Sequence, residues 1–147
     1  LDQARAEQFF AYLFFSLPIA ILMARRIEKN YFIDGGLIII VASMSMAMAA
    51  DAFRAAANLS DVANAIAVTA YSSTVLGVSI SGIGIFRTNI FPKWLSGLLI
   101  LVTAIGFVLL ATSEPSAIQT NVIILPFLLA FHVILIVLGI FMYRRID

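Results

Sequence analysis

Residues 62–86 read VANAIAVTAYSSTVLGVSISGIGIF, an uncharged run, and residues 87–94 follow it as RTNIFPKW. A hydrocarbon core about 30 Å thick needs roughly 20 apolar residues at a rise of about 1.5 Å each. The first run meets that need. The second supplies two cations, a proline and a tryptophan, after which a new apolar run begins at once. A span, a short basic turn and a second span are the marks of a polytopic membrane protein.

The same alternation extends in both directions. Spans are expected at Phe9–Ala24, Ile33–Ala56, Val62–Phe86, Trp94–Thr112 and Val122–Tyr143. The connections carry the breakers. Arg25-Arg26-Ile27-Glu28-Lys29-Asn30 separates the first pair and Asn58-Leu59-Ser60-Asp61 the second, with Ser60 or Asp61 expected to cap the third span. Ser113-Glu114-Pro115-Ser116 opens the last connection, and Thr120 or Asn121 is expected to cap the fifth span. No segment alternates in the ten-residue manner of barrel strands. Backbone groups in lipid must therefore be satisfied within helices. The expected fold is all-α, a transmembrane helical bundle of about five spans forming one domain over residues 1–147.

Composition agrees. The chain is 63% hydrophobic and 12% charged, with a mean hydropathy of +1.08, about half the charged fraction usual in soluble domains. The net charge of +1 is a balance between faces and gives nucleic-acid binding no support. The absence of cysteine excludes disulfides, thiolate metal sites and cysteine nucleophiles.

Charge placement sets the orientation. Seven of the nine Lys and Arg residues fall in Arg25–Lys29, Arg87–Lys93 and Arg144–Arg145, all on one side of a five-span chain, leaving Arg5 and Arg54 on the other. The positive-inside rule then places the N-terminus outside and the C-terminus in the cytoplasm. Tyr31, Phe32, Trp94 and Tyr143 fall at the inner interface, where aromatic rings anchor. The expected location is a prokaryotic plasma (inner) membrane, in contact with the lipid bilayer. Because the first residue is Leu1, the chain is read as processed or as part of a longer one.

Small residues recur every four positions in the third span, at Ala65, Thr69, Ser73, Gly77 and Ser81. The second span repeats the device at Ser43, Ala47, Asp51 and Ala55. Such faces let backbones approach closely, so these two spans are expected to form an antiparallel hairpin. The alternative is a contact with a membrane-protein partner or a second copy.

His132, the single histidine, lies near the middle of the fifth span. Intramembrane ionisable groups point to function by default. As a haem ligand it would want a second strong ligand, and the plainer account is a ring bonded to a neighbouring hydroxyl. At about 1.5 Å per residue His132 lies roughly 16 Å from the outer helix ends. The same depth holds Tyr71, Ser72, Ser73 and Thr74 on the third span, Ser43, Ser45 and Met46 on the second, and Thr103 on the fourth. This polar layer is read either as interhelical glue or as the lining of a ligand or proton pathway. His132 is expected to face inward and bond a hydroxyl among Tyr71–Thr74.

Other candidates are weaker. Met44, Met46 and Met48 are read as core filling, since residues two apart on a helix point about 200° away from each other. Asp51 and Arg54 are read as an interfacial ion pair at the outer end of the second span. Ser79 or Ser81 with His132 fails as a serine-protease pair, because Gly77-Val78-Ser79-Ile80 lacks the closing glycine and Ser79 lies roughly 9 Å deeper than His132. No catalytic residue and no metal site is assigned, and no cofactor is named.

Phe86-Arg87 and Phe91-Pro92-Lys93-Trp94-Leu95 resemble the late helical hairpin of small bacterial integral membrane proteins of the DUF4386 type. There a helix ends in Tyr/Phe-Arg, and a turn of the form Phe-(Leu/Ile)-Pro-(Arg/Lys)-Trp-Leu opens the next span. The likeness covers the last three spans. It implies a longer parent with further N-terminal spans, and it carries no activity over. The expected role is a non-enzymatic subunit, sensor or small carrier. The alternative is a redox or cofactor-binding subunit that contacts haem, quinone or pigment through His132.

Overall fold

A computed structural model describes residues 30–57, 59–114 and 124–144. The span expected at Phe9–Ala24, the basic residues Arg25, Arg26, Lys29 and Arg145, and the caps Thr120 and Asn121 lie outside the described residues. What is described is all-helical, in four helices: α1 (Tyr31–Ala57), α2 (Ser60–Arg87), α3 (Lys93–Thr112) and α4 (Ile124–Tyr143). Three of them, α1 to α3, are long and apolar enough to cross a membrane, and α4 contributes the apolar stretch Leu129–Phe141.

Helix ends follow local chemistry. α1 starts two residues before the expected Ile33 because Asn30 caps it. The Asn30 Oδ1 accepts the Phe32 N–H at 2.9 Å, while its Nδ2 donates to the Gly84 carbonyl at 3.3 Å. One side chain thus caps α1 and ties it to α2. The expected cap of α2 is corrected. Leu59 precedes the helix with no side-chain cap bond, and Ser60 and Asp61 lie within the first turn, where Asp61 suits the helix dipole. At the other end of α2 the Lys93 amine donates to the carbonyls of Phe86 and, at 3.2 Å, Thr88. A cation at a helix C-terminus satisfies carbonyls that have no partner within the helix.

α1 packs on α2, α2 on α3 and α3 on α4, so α2 is covered on two sides. The α1–α2 pair is antiparallel and meets at two glycines. A Cβ built on Gly36 would overlap the Ser81 hydroxyl and the Gly77 carbonyl, and one on Gly77 would lie 2.8 Å from the Gly36 carbonyl. Two turns beyond Gly77, a Cβ at Gly84 would meet Ile33 Cγ1 at 2.6 Å. At these three positions there is no room for a side chain. Ile33, Ile40, Val78, Leu95, Leu99 and Phe131 fill the core beside it. Outward faces are apolar as well, with Ile38, Leu101, Leu129 and Ile136 more than half exposed.

The expected small-residue stripe holds along only part of its length. Gly77 and Ser81 are buried at the crossing, Ser73 is half-buried, and Ala65 and Thr69 are exposed. Four residues turn a helix by about 400°, so the stripe drifts about 40° per step and roughly 160° from Ala65 to Ser81. It leaves the contact face for that reason, and Gly84 continues the contact instead. On α1, Ser43 and Ala47 are buried and Asp51 half-buried, while the Ala55 side chain lies outside the described residues. Met44 is buried, whereas Met46 and Met48 are exposed, so core filling holds for Met44 alone.

Candidate functional site

Five of the hydroxyls expected near the midplane turn back on their own helices. Ser43 Oγ donates to the Ile39 carbonyl at 2.6 Å and Thr74 Oγ1 to that of Ala70 at 2.8 Å. Thr103 Oγ1 donates to the Leu99 carbonyl at 2.7 Å, and Ser72 Oγ to that of Thr69 at 3.1 Å. All four residues are buried. A hydroxyl three or four residues along a helix reaches the freed lone pair of a carbonyl, and this satisfies the donor without a neighbouring helix. Ser45 does the same from an exposed position, to the Val41 carbonyl at 3.0 Å. In each case the bond runs along one helix and links no two helices. Tyr71, half-buried, packs against the core.

His132 sits on α4, whose inward ridge is Phe127, Phe131, Ile134 and Leu138. The Phe127 and Phe131 rings stack with centroids 6.1 Å apart. The His132 ring stands edge-on to Phe131 at 5.7 Å and is half-buried, one residue round from the ridge. α4, which carries His132, packs chiefly on α3, the helix of Thr103, while Tyr71, Ser73 and Thr74 lie on α2. The ridge is seated by a glycine. A Cβ on Gly106 of α3 would overlap the Phe127 ring, so the ring occupies the hollow that Gly106 leaves.

Beside the α1–α2 connection, Arg54 Nη1 lies 3.4 Å from Asp51 Oδ1, with side chains 21% and 13% exposed respectively. Arg54 Nη2 donates to Asn64 Oδ1 at 2.9 Å. Arg54 therefore joins α1 to α2 across their short connection. Sequence reading found the Asp51–Arg54 spacing but missed Asn64, ten residues from Arg54, because pairing across a turn leaves no periodic signal. It also passed over Asn30, although an Asn just before an apolar run is a recognised start signal.

Further polar groups lie toward the α2–α3 turn. The buried hydroxyls of Ser81 and Ser96 have no hydrogen-bond partner among the described residues. The Arg87 guanidinium lies 4.5 Å above the Phe32 ring, and the Lys93 amine 5.1 Å from the Phe86 ring centroid. Among the described residues, no three His, Cys, Asp or Glu side chains gather as a metal site. No protein-family model, curated protein or solved structure matches this chain.

Proposed function

We propose that this chain is a multi-pass protein of a prokaryotic plasma (inner) membrane, with about five spans, an external N-terminus and a cytoplasmic C-terminus. Its role is that of a non-enzymatic subunit of a membrane assembly, ahead of a sensor or small carrier. One observation supports the subunit reading above the other two. The midplane hydroxyls of Ser43, Ser72, Thr74 and Thr103 are committed to carbonyls of their own helices. A carrier would offer such groups to its cargo. The partner is a second membrane protein or another copy of this chain. The turn from Phe86 to Leu95, with its likeness to the DUF4386 type, supports a longer parent with further spans.

Two measurements test this. In native membranes solubilised with mild detergent, the chain should run in a particle well above its own 16.0 kDa. A monomer would overturn the subunit reading. For orientation, the chain lacks cysteine, so Asn89→Cys and Glu114→Cys provide single labelling sites. A membrane-impermeant maleimide should label position 114 on intact cells and position 89 only after permeabilisation. Labelling of position 89 from outside would reverse the topology.

His132 sustains a second reading. It is half-buried at the rim of the α4 ridge, where a cofactor or partner has access from beside the bundle. Protein purified from its native membrane should show no visible absorption band under the subunit reading. A band abolished by His132→Phe, with helicity and melting unchanged, would favour the cofactor-binding alternative.

A further inference from the structure

Arg87 and Lys93 flank the same turn and count equally in a tally of basic residues, yet the structure uses them differently. The Lys93 amine is committed. It donates to the carbonyls of Phe86 and Thr88 that end α2 and lies against the Phe86 ring. Arg87 is exposed, and its guanidinium carbon lies over the Phe32 ring, 4.5 Å from its centroid. It makes no hydrogen bond or ion pair with any described acceptor. A stacked guanidinium keeps its edge donors directed outward in a planar fork, the geometry that grips a phosphate with two bonds. The stack also fixes the side chain beforehand, so little rotamer freedom is lost on binding. Tyr31, 95% exposed, and Trp94, 62% exposed, stand at the same end of the bundle as interfacial aromatics do.

We infer that Arg87, held by Phe32, is a binding point for the phosphate of an anionic phospholipid headgroup, while Lys93 is a structural clamp that takes no part in it. This rests on the membrane reading above and adds a ligand class and a division of labour to it. A lipid is favoured over a soluble anion because the exposed neighbours are aromatic and apolar, with Phe86 and Leu98 open on the same end of α2 and α3.

Trp94 is the only tryptophan and sits beside the turn, so it reports directly. The full chain is reconstituted in phosphatidylcholine vesicles containing brominated phosphatidylglycerol or brominated phosphatidylcholine, and quenching of Trp94 is titrated. The anionic lipid should quench at about fivefold lower mole fraction, the effect of one basic residue at a lipid surface. Arg87→Gln should bring the two lipids close to parity, and Phe32→Leu should move them part of the way. Lys93→Met should lower the melting temperature and leave the preference intact in protein that remains folded. Unchanged preference in Arg87→Gln overturns the inference, as does its loss in folded Lys93→Met alone. Inorganic phosphate that abolishes the preference at matched ionic strength would mark a soluble-anion site and also overturn it. Absence of quenching by either lipid would remove the membrane reading itself, whereas equal quenching by both removes only the inference.

Discussion

Gly36→Ala should destabilise the protein by about 1–3 kcal/mol, while Gly35→Ala next to it should be neutral or stabilising by up to about 1 kcal/mol. In sequence the two are adjacent glycines of one apolar run. In the fold, a methyl at position 35 meets nothing within 4 Å, whereas one at position 36 runs into the Ser81 hydroxyl, the Gly77 carbonyl and, at 2.8 Å, the Ser81 nitrogen. Two of those atoms belong to the backbone of α2 and cannot rotate away. The only relief is to move α1 off α2, which loosens packing from Ile33 to Met44. Gly77→Leu should act at the same crossing from the other side, for the same reason. Gly35→Ala meets no such obstacle and removes backbone freedom that glycine otherwise loses on folding. Detergent melting curves of the two alanine variants make the comparison, since each adds the same methyl. Equal shifts would show that Gly36 is not a crossing point.

This pair also marks how far the sequence could be read. Length, apolarity and the basic turns were enough to place α1 to α4 within a few residues, because bilayer thickness and backbone satisfaction leave few alternatives. The Gly77–Ser81 contact was legible through its spacing. What the spacing hid was its own drift, which carries Ala65 and Thr69 to the outside, and the partner on α1, which is Gly36 where Ser43 and Ala47 were expected to lead. For Ser43, Ser72, Thr74 and Thr103 the expected polar layer resolves into bonds along single helices. Ser43, Thr74 and Thr103 were read at one depth, but sequence depth says nothing of rotamer, and each of these hydroxyls bonds a carbonyl of its own helix. The commitment of Lys93 to two carbonyls, and the stacking of Arg87 on Phe32, depend on how the turn closes. Neither follows from counting charges.

The second large effect is expected where α4 meets α3. Gly106→Ala should destabilise by about 1–3 kcal/mol, because the added methyl falls on the Phe127 ring. The ring cannot simply swing aside, for it is buried and stacked on Phe131. Phe127→Leu alone should cost stability through the space it vacates. Combined with Gly106→Ala, however, the smaller side chain makes room for the methyl. The double variant should therefore be more stable than the sum of the two single changes by about 0.5–3 kcal/mol, the range typical of residues in direct contact. Gly139→Ala is the control on the same pair of helices, since a methyl there meets nothing within 4 Å. Additive losses in the cycle would mean that Phe127 does not occupy the Gly106 hollow. The seat of α4, and with it the position of His132 five residues along from Phe127, would then have to lie elsewhere.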